Sequence, residues 1–177
     1  STPVGNNFYL DVVRAYGPKR IYISRKGTPR IVLFGYSLKA GKNIFVRSKS
    51  SKVTINAKPE DQRVSITRLN PRGHEPIGPL HATRRVRDIV QILGESASVP
   101  VSSLRRPGLE VPFCDVVDIL ETMCDNGMID AEFIAGDLPD FRVEGKQIAP
   151  RTKDEKRSTE PNEVQEQFKA EPKRNPQ

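Results

Sequence analysis

The chain has 177 residues, of which 36% are hydrophobic and 29% are charged, and this length and composition predict one compact domain. No apolar run approaches the roughly 18 residues that a helix needs to cross a bilayer, which excludes a transmembrane helix. The sequence begins at Ser1, so either a leader has been removed or the chain is a piece of a longer protein. Two Cys and two His residues are too few for a disulfide framework or a multi-histidine site, so we expect no metal and no cofactor.

The formal net charge of +7 is the sum of oppositely charged regions. Residues 1–106 contain 20 Lys and Arg against 6 Asp and Glu, whereas residues 107–150 contain 2 against 10. A basic region favours binding to phosphate, to an anionic glycan or to an acidic protein surface. Because the acidic region of one copy also complements the basic region of another, the charges indicate head-to-tail self-association.

The first half of the chain predicts a largely antiparallel sheet of short strands. Residues 7–16 favour a short helix that ends at Gly17, although their YLDVV segment would also suit a strand. Five β-rich runs of about five residues follow, each bounded by turn-forming residues, at 20–24, 30–34, 43–47, 52–56 and 63–67. The second run is continuously apolar and is expected at the centre of the sheet. The last three alternate in polarity across hairpin-length linkers, which predicts a meander with one solvated face.

The next segment predicts the first of two helices that cover this sheet. Residues 81–95 favour a helix that Thr83 caps and Gly94 ends. Its apolar face consists of Val86, Ile89, Val90 and Leu93. A loop rich in Pro, Ser and Arg follows at 95–112.

The second helix has the strongest pattern in the chain. Residues 111–127 favour a helix with Gly127 at the C′ position. Its apolar stripe consists of Phe113, Val116, Val117, Leu120, Met123 and Cys124. Residues 128–134 then alternate in polarity and are expected to return as a strand. The sequence therefore predicts an α+β fold, with a mostly antiparallel sheet of about five or six short strands covered by two amphipathic helices.

The end of the chain differs in composition from the rest. Residues 151–177 contain only two large apolar side chains, Val164 and Phe168, among charged residues, Pro and Gln. Such a segment cannot bury enough apolar surface to offset the entropy lost on ordering. We therefore expect a single domain over residues 1–150 followed by a disordered tail.

Basic residues cluster at the expected start of the first helix and in the loop after it. Arg84, Arg85 and Arg87 fall in the predicted first turn, where positive charge opposes the helix dipole, so we expect a binding partner for them. Arg105 and Arg106 extend the basic surface into the loop.

Acidic residues recur along the second helix. Asp115, Asp118, Glu121 and Asp125 follow at spacings of three to four residues. Paired carboxylates can hydrolyse glycosides, but this ladder fits a solvated or subunit-contact face better. We take Asp115, Asp118 and Glu121 as interaction residues.

The thiols and imidazoles do not predict catalysis. Cys114 and Cys124 lie ten residues apart on one helix, about 15 Å along its axis, which is too far for a disulfide. We expect both to be buried as small apolar residues. Pairing of either thiol with His74 or His81 is disfavoured, because Asp115 and Asp125 adjoin the cysteines and a reactive thiol needs cationic neighbours. No glycine-rich phosphate loop is present, so no catalytic residue is predicted.

Residues 84–134 follow a recognisable succession of motifs. In one known family, a helix of the form D-L-V-x-x-L-N-x-L-G precedes P-x-D-L-I-x-I-L-Q-x-L-x-x-x-G and a closing L-x-A-x-L strand. The first motif is matched by Asp88, Ile89, Val90, Leu93 and Gly94. The remainder is matched by Pro112, Asp115, Val116, Val117, Ile119, Leu120, Met123, Gly127, Ile129, Ala131 and Phe133. In this segment the chain resembles the C-terminal end of the flagellar basal-body P-ring proteins.

This resemblance implies a non-enzymatic subunit of a periplasmic ring around the flagellar rod. The subunit would be made as an exported precursor and would contact other copies of itself, flagellar or cell-envelope proteins, and peptidoglycan. The family contributes no catalytic residue. The alternative that the residues leave open is a nucleic-acid-binding module, in which Tyr22, Phe34 and Phe45 stack on bases across a basic sheet face. We rank it second because the sequence has no RNP-like string.

Overall fold

A computed structural model describes residues 1–24, 26–35, 37–48, 50, 52–70, 76–98 and 107–136. These residues fall within a single compact unit, Ser1–Asp140. Three predicted features, namely His74, the Arg105–Arg106 pair and the tail 151–177, lie outside the described residues. The elements are β1 (Thr2–Val4), β2 (Phe8–Val13), β3 (Arg20–Ser24), β4 (Arg30–Phe34), β5 (Ile44–Arg47), β6 (Val53–Ala57), β7 (Arg63–Leu69), β8 (Pro76–Thr83), α1 (Val86–Gly94), α2 (Phe113–Asp125) and β9 (Glu132–Ala135).

The strands form two sheets. The first sheet has the order β1-β2-β4-β3-β9, and the second has the order β5-β6-β7-β8. Pairing is antiparallel except between β2 and β4 and between β3 and β9. The α+β class, the mostly antiparallel pairing and the two helices are therefore confirmed. The expected single sheet of five or six strands is wrong, since the described residues contain nine strands in two sheets.

The first sheet confirms one strand prediction and corrects another. β4 lies at its centre with Ile31–Phe34 buried throughout, as the continuous apolar run predicts. Residues 7–16, expected to be helical, instead contain β2, which pairs in parallel with β4. Phe8 and Leu10 are buried while Tyr9 between them is 39% exposed, which is the two-residue period of a strand. A partner strand twenty residues away decided between the two conformations that the local pattern allowed.

The second sheet begins with the predicted meander. β5, β6 and β7 pair antiparallel in sequence order, and every other side chain of each strand is buried. The core-facing residues Ile44, Val46, Val53, Ile55, Val64 and Ile66 are the predicted ones. β8 was not predicted, because Pro76, Gly78 and Pro79 indicated a loop. It occupies an edge of the sheet, where a missing backbone N–H costs no ladder hydrogen bond.

The first helix has the predicted apolar face but different ends. Thr83 is the last residue of β8 rather than the N-cap, a position that Arg85 occupies. The Thr83 hydroxyl still serves the first turn, because it accepts a hydrogen bond from the Arg85 N–H at 3.2 Å and donates one to the Asp88 carboxylate. Gly94 ends the helix without a left-handed backbone. A Cβ there would lie 2.5 Å from Cε1 of Phe8, so glycine is required for packing against β2.

The second helix ends as predicted but is oriented differently about its axis. Gly127 has a φ of +67°, and its N–H donates to the Cys124 carbonyl at 2.9 Å. Four residues of the predicted stripe are buried, namely Val116, Val117, Leu120 and Met123, together with Asp115 and Ile119. Phe113 of the stripe is half-buried, and Cys114 is exposed. The expectation that both cysteines are buried is therefore wrong for Cys114, and Cys124 is half-buried.

One apolar cluster joins all the layers. It contains the core-facing side chains of both sheets together with the buried faces of α1 and α2. α1 packs against β8 and β2, and α2 packs against β5 and β9. Leu120 and Met123 of α2 are fully buried in this cluster. The helices therefore fill the space that the two sheets leave on their core sides.

Removing a core side chain from α2 tests this packing. We expect Leu120→Ala to lower the free energy of unfolding by about 2–5 kcal/mol, since the cavity is lined by both sheets and cannot collapse. Urea denaturation measures the change. The neighbouring exposed residue provides the control, because Glu121→Ala should leave the midpoint nearly unchanged. Equal midpoints for the two variants would show that α2 does not dock on the sheets.

Candidate interaction surfaces

The three arginines that precede and begin α1 do not form one binding site. The helix begins at Val86, so only Arg87 lies in its first turn. The Arg84 guanidinium donates hydrogen bonds to the carbonyls of Lys58 at 2.6 Å, of Asp61 at 2.8 Å and of Gly41. Arg84 therefore ties the β6–β7 hairpin and the segment before β5 to the start of the helix. All three nitrogens of its guanidinium group donate to carbonyls of the same chain, a structural role that the sequence did not predict.

Arg85 and Arg87 are exposed, as a binding role requires, but acids accompany them. Both line a groove between β1, β8 and α1, and Asp88 and Glu95 line the same groove. Nε of Arg87 lies 3.7 Å from a carboxylate oxygen of Asp88. The groove thus contains equal numbers of positive and negative side chains, which favours neither an anion nor a cation.

The predicted acidic ladder divides into one buried residue and three exposed ones. Asp115 is 8% exposed and its carboxylate accepts a hydrogen bond from the Ser50 hydroxyl, which fixes the β5–β6 connection to the first turn of α2. Asp115 is therefore a structural residue and not part of a contact face. Asp118, Glu121 and Asp125 are exposed on one side of the helix, and we call these three residues the acidic row. None of the three forms an ion pair with another described residue.

Part of the charge separation along the chain is neutralised internally. Lys19 contacts Asp130 at 2.9 Å and Arg20 contacts Glu132 at 2.8 Å, which links β3 to the segment that contains β9. The hydrogen bond and positive charge of Lys19 lower the pKa of Asp130 below its usual value. The charges of whole segments therefore overstate what is available to a partner.

A cationic surface lies on the second sheet; the sequence predicted a basic sheet face but did not identify the residues that carry its charge. The side of this sheet away from the core, which we call the open face, carries Phe45, Arg47, Thr54, Asn56, Arg63, Ser65, Thr67 and His81. Lys52 and Leu69 lie beside Arg47 at one end. Arg47, Lys52 and Arg63 are exposed and make no ion pair with any described residue. The polar positions of the alternating strands could have identified this face. A sum of charges over residues 1–106 does not distinguish them from the other basic residues.

The aromatic residues proposed to stack on bases do not share a surface. Tyr22 and Phe34 belong to the first sheet and are 0% and 8% exposed. Phe45 belongs to the second sheet and is 65% exposed. The open face therefore offers one exposed benzene ring, at its β5 edge.

The described part of the chain contains no cluster of metal-binding side chains. No group of three or more His, Cys, Asp or Glu within it could hold a metal ion. His81 lies on the open face with Arg63 and Ser65, and Cys114 is exposed on α2. In the described ranges, no helix is long and apolar enough to span a membrane.

Comparison with protein-family models, with curated proteins and with solved structures finds no match to this chain.

Replacing Arg84 tests its structural role. We expect Arg84→Lys to lower the free energy of unfolding by about 0.5–1.5 kcal/mol, because an ammonium group cannot reach three separate carbonyls and water replaces the lost donors. Arg85→Lys is the matched control and should have no measurable effect, since that side chain is exposed. Thermal melts of the two variants give the comparison, and equal losses of stability would contradict the assignment.

The two thiols should differ in reactivity. Burial, reinforced by the nearby Asp125 carboxylate, raises the pKa of Cys124 to about 11, so little thiolate forms at pH 8. We expect a thiol reagent at pH 8 to label one exposed cysteine rapidly and the second only after unfolding. Cys114→Ser should remove the rapid phase. A rapid phase that persists in this variant would assign the accessible thiol to Cys124.

Proposed function

We propose that the chain is a non-enzymatic subunit of a periplasmic flagellar P-ring-like assembly, in which copies associate through oppositely charged surfaces. The observation that carries this proposal is the acidic row. Three exposed carboxylates on one side of α2 have no cationic partner among the described residues. Like charges held together on a rigid helix repel one another, and a basic surface on a second molecule relieves that repulsion.

The order of elements in residues 84–134 supports the resemblance to P-ring proteins. α1, α2 and β9 follow one another as the two helices and closing strand of that family do. The matching apolar residues of both helices lie in the core. The matching glycine of the second motif, Gly127, occupies the helix C′ position.

The charge distribution favours a head-to-tail contact over a two-fold one. A two-fold interface centred on the acidic row would place the same three carboxylates of two copies opposite each other, which is repulsive. A contact between different surfaces of successive copies places acidic against basic residues. Such contacts close into a ring or continue as an open array, depending on the rotation between copies.

The proposed location is the periplasm or cell envelope, with flagellar or envelope proteins and peptidoglycan as further neighbours. Isolation of detergent-extracted basal bodies from cells that produce the tagged chain tests this location. We expect the chain to co-purify with the basal bodies and to be absent from the same fraction of cells that lack the flagellar rod. Recovery solely with ribosomes or nucleoid would contradict the proposal.

Charge reversal tests the assembly itself. We expect the wild-type chain to sediment as associated species at low salt and as a monomer above roughly 0.5 M salt, where the Debye length is only a few ångströms. Glu121→Lys should weaken this association while leaving the melting temperature unchanged. The matched control is Glu60→Lys, which makes the same charge change on the exposed β6–β7 hairpin and should leave association intact. A wild-type chain that forms only closed dimers, or none at any salt, would remove the proposal.

A further inference from the structure

The open face of the second sheet is a platform that the rest of the described fold leaves uncovered. Both helices pack on the core sides of the sheets, α1 against β8 and β2 and α2 against β5 and β9. No described helix or strand lies over Phe45 or Arg63, which are exposed. A cross-strand row formed by Phe45, Asn56, Ser65 and His81 runs over all four strands. With strands about 4.8 Å apart, this row is roughly 14 Å long.

The charge of this platform is positive. Arg47 and Lys52 lie at one end of the face and Arg63 at the other. Asp61, in the β6–β7 hairpin, lies beside Arg63, and its carboxylate accepts a hydrogen bond from the Lys58 N–H at 2.7 Å. Near the other end, the Asp115 carboxylate accepts a hydrogen bond from Ser50 of the β5–β6 connection. No Asp or Glu stands among the outward-facing residues of β5, β6, β7 and β8. The face therefore complements a surface that carries several carboxylates.

The acidic row of the same chain is such a surface. The acidic row lies on the side of α2 away from the core, and the open face lies on the side of the second sheet away from the core. Within one copy, no ion pair joins the acidic row to Arg47, Lys52 or Arg63. Two copies placed head to tail bring them together.

We propose that the acidic row of one copy docks on the open face of the second sheet of the next copy. This inference rests on the proposed function and identifies the receiving surface within it. The row extends about 10 Å from Asp118 to Asp125 at 1.5 Å per residue, which fits within the platform. Cys114 is exposed one turn before Asp118 on the same side of α2, and Phe45 provides an apolar contact on the platform.

The groove beside α1 is a poorer receiving surface than the open face. Arg85 and Arg87 share that groove with Asp88 and Glu95, so an approaching carboxylate meets repulsion as well as attraction. Arg84, the third residue that the sequence predicted for this role, is already bound to backbone carbonyls. Arg47 has neither restriction, and Arg63 has a single acid, Asp61, in its pocket.

Disulfide trapping tests the contact and its polarity. Asn56 is exposed near the middle of the platform, so Asn56→Cys places a thiol where the neighbour's Cys114 should approach. Mild oxidation of this full-length variant at low salt should give a ladder of covalent trimers and higher species on a non-reducing gel. The control Asn56→Cys/Cys114→Ser should stop at dimers. A ladder that never exceeds dimers in the first variant would overturn the inference.

Charge exchange tests the same contact without new thiols. Arg47→Glu/Arg63→Glu should abolish association of the full chain in sedimentation at low salt, as should Asp118→Lys/Glu121→Lys/Asp125→Lys. A mixture of the two should associate again, because each acidic surface now meets a basic one. Arg85→Glu/Arg87→Glu is the matched control and should associate like the wild type. Thermal melts of all variants establish that they remain folded.

The outcomes separate this inference from the proposed function. If the wild type associates but only the Arg85→Glu/Arg87→Glu variant loses association, the assembly stands and the receiving surface is wrong. If the wild type stays monomeric at every salt concentration, the proposed function fails as well. A fluorescent oligothymidine that binds the monomer, and is released by Arg47→Glu/Arg63→Glu, would instead assign the platform to single-stranded nucleic acid and overturn the inference.

Discussion

Burial of one shared apolar cluster is the constraint from which the other features of this structure follow. Each sheet has an apolar face that needs another layer to cover it, and both sheets bury that face against the two helices. α2 contributes the side chains that meet both sheets, and its fully buried Leu120 and Met123 have no alternative surface to cover them. Once these faces turn inward, the polar positions of every amphipathic element must turn outward. The acidic row and the open face are the outward sides of elements whose inward sides form the core.

The arginines illustrate how little the net charge of a segment says about binding. Arg84 binds the backbone carbonyls of a hairpin and of the segment before β5. Arg68 is buried and donates to the carbonyls of Leu109 at 2.6 Å and Glu110 at 2.7 Å, so it holds the segment before α2. Arg20 is paired with Glu132. A guanidinium group suits such positions because its several donors lie in a fixed plane. The charges left for a partner are those on solvated strand and helix faces.

The placement of the remaining charges decides which kind of association is compatible with the fold. Two separate surfaces of opposite sign on one folded unit attract successive copies in the same orientation. A two-fold pair centred on either surface would place that surface against its own copy and would repel. The arrangement therefore favours repetition over pairing, whether the repeat closes into a ring or remains open. This polarity is a property of the folded unit and does not depend on the identity of the neighbouring proteins.

The sequence by itself determined the elements whose signals are local. α2 has a continuous helical period and a glycine at C′, β4 is apolar throughout, and the β5–β7 meander alternates between short linkers, so each could be predicted without knowledge of its neighbours. The exposed side of each of these elements could be predicted as well, since it is the side opposite the apolar residues. The resemblance of residues 84–134 to P-ring proteins depends on the same local patterns.

Only the tertiary structure decided the features that depend on a distant partner. Residues 8–13 are a strand because β4 pairs with them, and the strands divide into two sheets because the helices cover both. The rotation of α2 about its axis is set by what packs against it, and this buries Asp115 beside Ser50 and exposes Cys114. Arg84 was expected to bind a partner because its charge would oppose the helix dipole, and the carbonyls that it binds instead are 23 to 43 residues away in sequence. Strand pairing and side-chain packing occur between segments that are distant in sequence, so a local pattern does not reveal them. These contacts decided how the strands divide into two sheets and which charged residues stay unpaired.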